Sequence, residues 1–387
     1  MVTTRYLGIL LPGLLLLAAC GDDVVDNESE STPDTGIAPD AETPDTTPVE
    51  PELAVPEFGT EETRSIAAFA SGSDGLDRPR DLEFDPQMPE NLWVFSQNND
   101  GVVILFNAGT PEQETELFLD AFRSHFMEEV SSVSFGDAGD FGTCQESRNT
   151  YDDQAPGNDF MGPALWDADL SVFAAVHQDP NGVMLGSHID MLHQSPLCMG
   201  IAHYQDNEYF VFDGLNGHVV YYDFQEDHGP GFDDHSDGIV YRFPEMELTR
   251  VPGVPGHMLY DDATNLLFVA DTGGQRVLAY EVGSAVRGRD LIADNEPLAD
   301  FAEFVDAEFD VLVGEGLEEP SGLALVENRL FVGDHATGEI IAFDINTGEE
   351  LGRIDTLSEG LMGIEVGPDG RLWFVDGEAE EVLVLTP

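Results

Sequence analysis

Ten histidines are spread over 387 residues, and four of them sit where their chemistry can be shared. His188, Asp190 and His193 lie close together in Gly186-Ser-His188-Ile-Asp190-Met-Leu-His193-Gln-Ser-Pro-Leu-Cys198-Met199. His257 follows Pro255-Gly256, and His335 follows Asp334 in Phe331-Val-Gly-Asp334-His335. Imidazole suits Zn, Cu, Fe and Ni, and catalytic zinc keeps three protein ligands plus a water. His188, His193, His257 and His335 are therefore candidates for a transition-metal site, Zn or Cu. Asp190, Asp271 and Asp334 would complete it or orient its rings. Water on such a metal acts as base or nucleophile near neutral pH, which would serve hydrolysis or lyase chemistry on a peptide-like or carbohydrate substrate. Taken singly, each histidine has a plainer reading as a packing or turn residue bonded to a nearby carbonyl.

A second cluster is Asp227-His228-Gly-Pro-Gly-Phe-Asp233-Asp234-His235-Ser-Asp237-Gly238. Calcium takes oxygens from carboxylates and loop carbonyls, so Asp227, Asp233, Asp234 and Asp237 are candidates for a Ca²⁺ site. The competing reading is a long exposed loop of Asx turns. The spacing also departs from the twelve-residue EF-hand loop, which ends in Glu. A similar acidic loop runs from Asn149 through Asp152 and Asp153 to Asp159. The chain contains no Gly-x-Ser-x-Gly elbow, no His-Glu-x-x-His and no Cys-x-x-Cys, and nothing in it selects nucleophilic catalysis.

The elements that position these residues are short apolar strands separated by Gly, Asp and Asn turns, with no sustained helical period. Four segments are alike, beginning at Pro79, Pro255, Pro320 and Leu361; a fifth begins at Cys198. A sixth, from Val130 to about Asp190, fits loosely and carries an insertion. Each unit supplies an inner strand, an apolar second strand ending in a polar residue, mostly Asp, and a third strand. One such unit cannot bury both its faces, but units stacked around an axis can. In that frame Asp81, Gly200, His257, Gly322 and Gly363 start inner strands. Gln97, Asp213, Asp271, Asp334 and Asp376 end second strands. Both sets face one end of a central channel, where the four histidines would converge. The Asp227–Asp237 loop joins the third and fourth strands of a middle blade, so it belongs at the opposite end.

Pro320-Ser-Gly-Leu-Ala-Leu and Phe268-Val-Ala-Asp-Thr-Gly-Gly-Gln-Arg-Val resemble NHL repeats over roughly residues 79 to 386. The resemblance implies an all-β fold, a six-bladed β-propeller, and a role as a surface binding module for a protein, glycan or metal partner. The peptidyl-hydroxyglycine amidating lyases share that architecture. Likeness to them implies, as the alternative, a metal-dependent lyase or hydrolase with a channel Zn held by three His from different blades, and a Ca²⁺ deeper in. Here only His257 occupies an inner-strand start of the kind those ligands use.

The formal net charge is -63, from 77 acidic residues against 14 basic ones, all of them Arg. Lysine chemistry is excluded, and binding to phosphate backbones, which needs a positive surface, is disfavoured. No nucleic-acid partner is expected, and the chain reads as a monomer. Arg5, the short apolar run Leu7–Leu17 and Leu17-Ala-Ala-Cys20 have the layout of a secretory signal peptide. The final residues resemble a bacterial lipobox, in which Cys20 carries lipid and anchors the protein to a cell-envelope membrane. An ordinary small-residue cleavage site is the alternative. Residues 1–19 are thus read as a signal, 20–62 as a disordered acidic tether, and 64–387 as the propeller. In an oxidising compartment Cys144 and Cys198 would pair as a disulfide; a metal-ligating or free thiol at Cys198 is the other possibility.

Overall fold

The structure, a computed structural model, describes residues 65–136, 138–148 and 159–386. The expected signal and tether, Cys20 and most of the Asn149–Asp159 loop lie outside the described residues. The rest is a six-bladed β-propeller, each blade a sheet of at least four strands. The inner strands are Pro79–Phe84, Val130–Phe135, Cys198–Gln205, Met258–Asp261, Pro320–Val326 and Leu361–Val366. Each packs against the inner strands of the two neighbouring blades, which closes the ring.

Close approach around the axis explains the small residues there. A Cβ on Gly200 would stand 2.1 Å from the carbonyl oxygen of Gly256 in the next blade, and one on Gly363 would stand 2.8 Å from the Cα of Asp81. The second strands, such as Leu92–Ser96 and Leu372–Asp376, are buried throughout. They lie between neighbouring blades, so both faces are apolar and the sequence reads as a run rather than an alternation. Trp93 packs on Phe135 and Phe141 of the second blade, and Trp373 packs on Phe69 and Phe84.

Ser65–Ser71 forms the outer strand of the last blade, pairing antiparallel with Glu381–Thr386 from Ser65↔Thr386 to Ser71↔Glu381. The two ends of the propeller therefore share one sheet.

Two departures from regularity shape the rim of the propeller. The outer strand of the second blade is His188–Met191, reached through a long insertion after Ala164–Asp167. The fourth blade sends out a ribbon, Val286–Asp290 and Asp300–Val305, between its third and outer strands. The ribbon leaves its own blade and adds to the third. Ile239–Glu247 pairs in parallel with Asp300–Val305, from Ile239↔Asp300 to Arg242↔Glu303, which makes a six-stranded sheet.

Cys144 and Cys198 form a disulfide, Cα to Cα 5.1 Å apart, joining the second strand of the second blade to the inner strand of the third. Such a bridge belongs to an oxidising compartment. It closes a loop with a sequence separation of 54. The double variant C144A/C198A should lose about 4 kcal/mol by the chain-entropy relation, read as a lower urea midpoint than wild type without reductant. Equal midpoints would show that the bridge adds nothing.

Candidate functional site

The end of the channel where inner strands begin is closed by ions rather than open to a ligand. Arg80 is fully buried and donates from Nη2 to Glu146 Oε2 at 2.6 Å. Arg250 pairs with the other oxygen of Glu146, and the Gly253 N–H donates to it at 3.0 Å. The channel instead widens toward the far ends of the inner strands, into a cavity of about 680 Å³ lined by Asp81, Glu83, His257, Tyr204, Tyr260 and Glu365, among others.

The four histidines expected to converge at one mouth fall in three places. His257 lies in the channel with Nδ1 3.5 Å from Asp81 Oδ1, and the other oxygen of Asp81 accepts from Ser132 Oγ at 2.9 Å and the Val133 N–H at 2.8 Å. His335 faces the Leu361 carbonyl oxygen at 3.0 Å, as a turn residue does. His188 and His193 sit on and just after the outer strand of the second blade, three strands out from the axis. Three strand spacings are about 14 Å, so those side chains cannot share a centre on the axis. The insertion hides that outer strand in the sequence, where the segment reads as a lead-in loop. The three-His channel site implied by the lyase resemblance is not assembled among the described residues.

The carboxylates ending second strands also have another task. Asp271 Oδ1 accepts from the Thr249 and Gly274 N–H groups, and Oδ2 accepts from Arg276 Nε. Asp334 accepts from the N–H groups of Glu318, Glu319 and Thr337. Each Asp saturates its oxygens on a turn, which is why the residue recurs blade after blade.

What the fold does bring together is the rim between the second and third blades. The Asp227–Asp237 loop folds onto the outer strand of the second blade, where Gly231 N–H donates to His188 O at 2.6 Å and His228 N–H to Ile189 O at 3.2 Å. Two candidate clusters expected at opposite ends of the channel thus meet. The ribbon from the fourth blade adds Glu296, which the sequence does not flag. Glu296 Oε1 lies 3.1 Å from His193 Nδ1 and 3.4 Å from His235 Nδ1. One ligand atom each from His193, His235 and Glu296 lie within 4.8 Å of one another. Ligands on a tetrahedral zinc stand about 3.4 Å apart, given metal–ligand bonds near 2.1 Å, so this triangle fits a metal ion. His193 Nε2 and His235 Nε2 are buried and have no hydrogen-bond partner. Asp233 Oδ1 stands 3.7 Å from His235 Nε2, and its other oxygen 4.0 Å from His188 Nε2. Phe160 stacks on His193 at 3.5 Å and Phe126 on His188 at 3.4 Å, fixing both ring planes.

Burial also sets the protonation of several rim groups. Burial, helped by the neighbouring His125, pushes His188 down to about 3. Burial lowers His193 and takes His125 to about 4. These imidazoles are neutral at physiological pH and able to ligate. Burial opposes ionisation of Glu296, but hydrogen bonds from His193 and Gln194 outweigh it and hold the group below its ordinary value. Asp190 is pushed up to about 8 by burial and by the charges of Asp237, Asp233 and Glu296. Asp227 and Asp234, the other two calcium candidates, accept from the Gly229 and Ser236 N–H groups in Asx turns on the exposed side of the loop.

No protein-family model matches the chain, and no curated protein sequence matches it. Solved structures do. An auxiliary nutrient binding protein from Bacteroides thetaiotaomicron aligns with a TM-score of 0.53 and 11% identity, covering 83% of this chain and 76% of that one. Another from Bacteroides ovatus gives 0.51 and 11%, with 84% and 76% covered. Virginiamycin B lyase from Staphylococcus aureus gives 0.45 and 10%, with 84% and 99% covered. At these identities the likeness shows the propeller fold.

The channel supports a separate pH prediction. Burial raises Glu365 to about 8, with a further push from Asp81, and raises Glu83 well above its ordinary value, with a push from Glu365. Between the unfolded value near 4.5 and about 8, the folded protein holds a proton on Glu365 that the unfolded chain has released. Stability therefore falls as pH rises through that window. E365Q should remove up to about 1.4 kcal/mol per pH unit of that slope, leaving the part due to Glu83. Denaturant unfolding at several pH values checks this; parallel slopes for variant and wild type would refute it.

Proposed function

We propose that this chain is an exported bacterial envelope protein whose propeller is a binding module, and that its ligand is a divalent transition metal held at the rim by His193, His235 and Glu296. The observation that carries the reading is the approach of two imidazoles and one carboxylate from three separate segments, with one ligand atom of each within 4.8 Å of the others. Two imidazoles and a carboxylate are a donor set used by zinc and its neighbours. The bound ion would supply charge to a pocket whose carboxylates outnumber its cations, and would tie the loops of three blades together. Binding is also the role described for the Bacteroides neighbours, though the rim residues and not that likeness support the proposal here.

One observation favours the second reading, a metal-dependent lyase or hydrolase acting at the rim. A cavity of about 300 Å³, lined by Phe122, Phe126, Met184, Leu185 and others, reaches His188 and Asp233 beside the metal ligands. Three protein ligands would leave a coordination position for water, and the cavity would admit an apolar group next to it.

Export is supported by the disulfide and by the signal-like N-terminus. Lipid anchoring at Cys20 is proposed from the Leu-Ala-Ala-Cys sequence. C20S expressed in a bacterium with labelled fatty acid should lose the label and leave the membrane fraction. Unchanged labelling of C20S would overturn the anchor.

For the metal, untagged protein freed of ions with a chelator should take up Zn²⁺ and gain thermal stability. At roughly a hundredfold excess over Kd the gain is about 2.7 kcal/mol. H235A, a change in a partly exposed loop, should lose that gain while keeping the wild-type far-UV spectrum. Wild-type protein without a Zn²⁺-dependent shift would overturn the reading.

A further inference from the structure

Resting on that reading of the rim, we propose that it holds a second divalent-cation position beside the first, built from His228, Asp190 and Asp237. His228 Nε2 stands 3.9 Å from Asp190 Oδ2 and 3.4 Å from Asp237 Oδ2. Asp190 lies on the outer strand of the second blade, while His228 and Asp237 come from the two ends of the long loop of the third blade. The loop is held on that strand by the His228 N–H bond to Ile189 O.

The independent observation is Asp190 itself. Its side chain is completely buried, and Oδ1 accepts from the Met191 N–H at 2.7 Å, yet Oδ2 has no hydrogen-bond partner and faces His228. His228 Nε2 and Asp237 Oδ1 are likewise buried without partners. A buried carboxylate oxygen left without a donor is strongly destabilising, and no Arg forms an ion pair with Asp190, Asp233 or Asp237 among the described residues. A cation bound at His228 Nε2 would give that nitrogen and Asp190 Oδ2 a partner, with Asp237 reaching it through Oδ2.

The donor set decides the chemical class. An imidazole among carboxylates suits Zn²⁺, Mn²⁺ or Fe²⁺, whereas Ca²⁺ takes oxygens alone. Asp233 lies beside the first position. Its carboxylate lies between His235 of the first and His188, and its charge also acts on Asp190 of the second. The rim would then be a two-cation centre.

Zinc stoichiometry tests this on the whole untagged protein, freed of metal, equilibrated with buffered Zn²⁺ and analysed by mass spectrometry under non-denaturing conditions. Wild type should bind two equivalents. H228A and D237N, both changes in the partly exposed loop, should each bind one, and H235A should bind one. Far-UV spectra establish that each variant is folded. One equivalent in wild type, kept by H228A and lost by H235A, would overturn the second position and leave the first. One equivalent lost by H228A and kept by H235A would overturn the first and leave the second. No bound zinc in wild type would overturn both.

Discussion

Everything in this molecule depends on how closely six inner strands can approach one axis. Backbone meets backbone there, and a methyl group at Gly200 or Gly363 would collide with the next blade. That constraint decides which residues line the channel, keeps the second strands dry on both faces, and forces the loops to alternate between two ends. It also requires the ring to close, which Ser65–Ser71 does by completing the sheet that ends the chain. Stability is thus shared among blades that are individually incomplete, and the aromatic contacts between Trp93 and its neighbours across the first blade boundary show the scale on which they interlock.

The rim cluster lies where the regular pattern is broken. The second blade reaches its outer strand through an insertion, the third carries a long acidic loop, and the fourth lends a ribbon to the third. These three irregularities meet at one place on the rim. In the resulting group His188 and Asp190 stand on a strand and the other members on the loops around it, with His188 stacked on Phe126 and His193 on Phe160.

Electrostatics gives the rim its character. In a chain of net charge -63, cations are scarce. Arg80 and Arg250 are spent on Glu146 at the closed end of the channel. At the rim, burial keeps His125, His188 and His193 neutral, so these three do not offset the carboxylates around them. Desolvation therefore does two things there: it prepares nitrogen lone pairs, and it leaves negative charge that a divalent ion would balance.

The sequence by itself determined the propeller. The recurring Gly at inner-strand starts, the apolar second strands and the Asp that ends them all follow from local geometry repeated at a fixed interval, and local geometry is legible along one dimension. The Cys144–Cys198 pairing was legible too, as one of the readings of two cysteines in a chain with a signal-like N-terminus. The candidate site was only half legible. His188, Asp190, His193, Asp233 and Asp237 stood out as residue types, but they were assigned to opposite ends of the channel. An insertion disguised the outer strand of the second blade as a loop. Glu296 was invisible, because it lies 103 residues from His193 in a segment with no motif. Its ribbon pairs with a blade other than its own, on an open sheet edge of the third blade that exists only once the strands of that blade have paired.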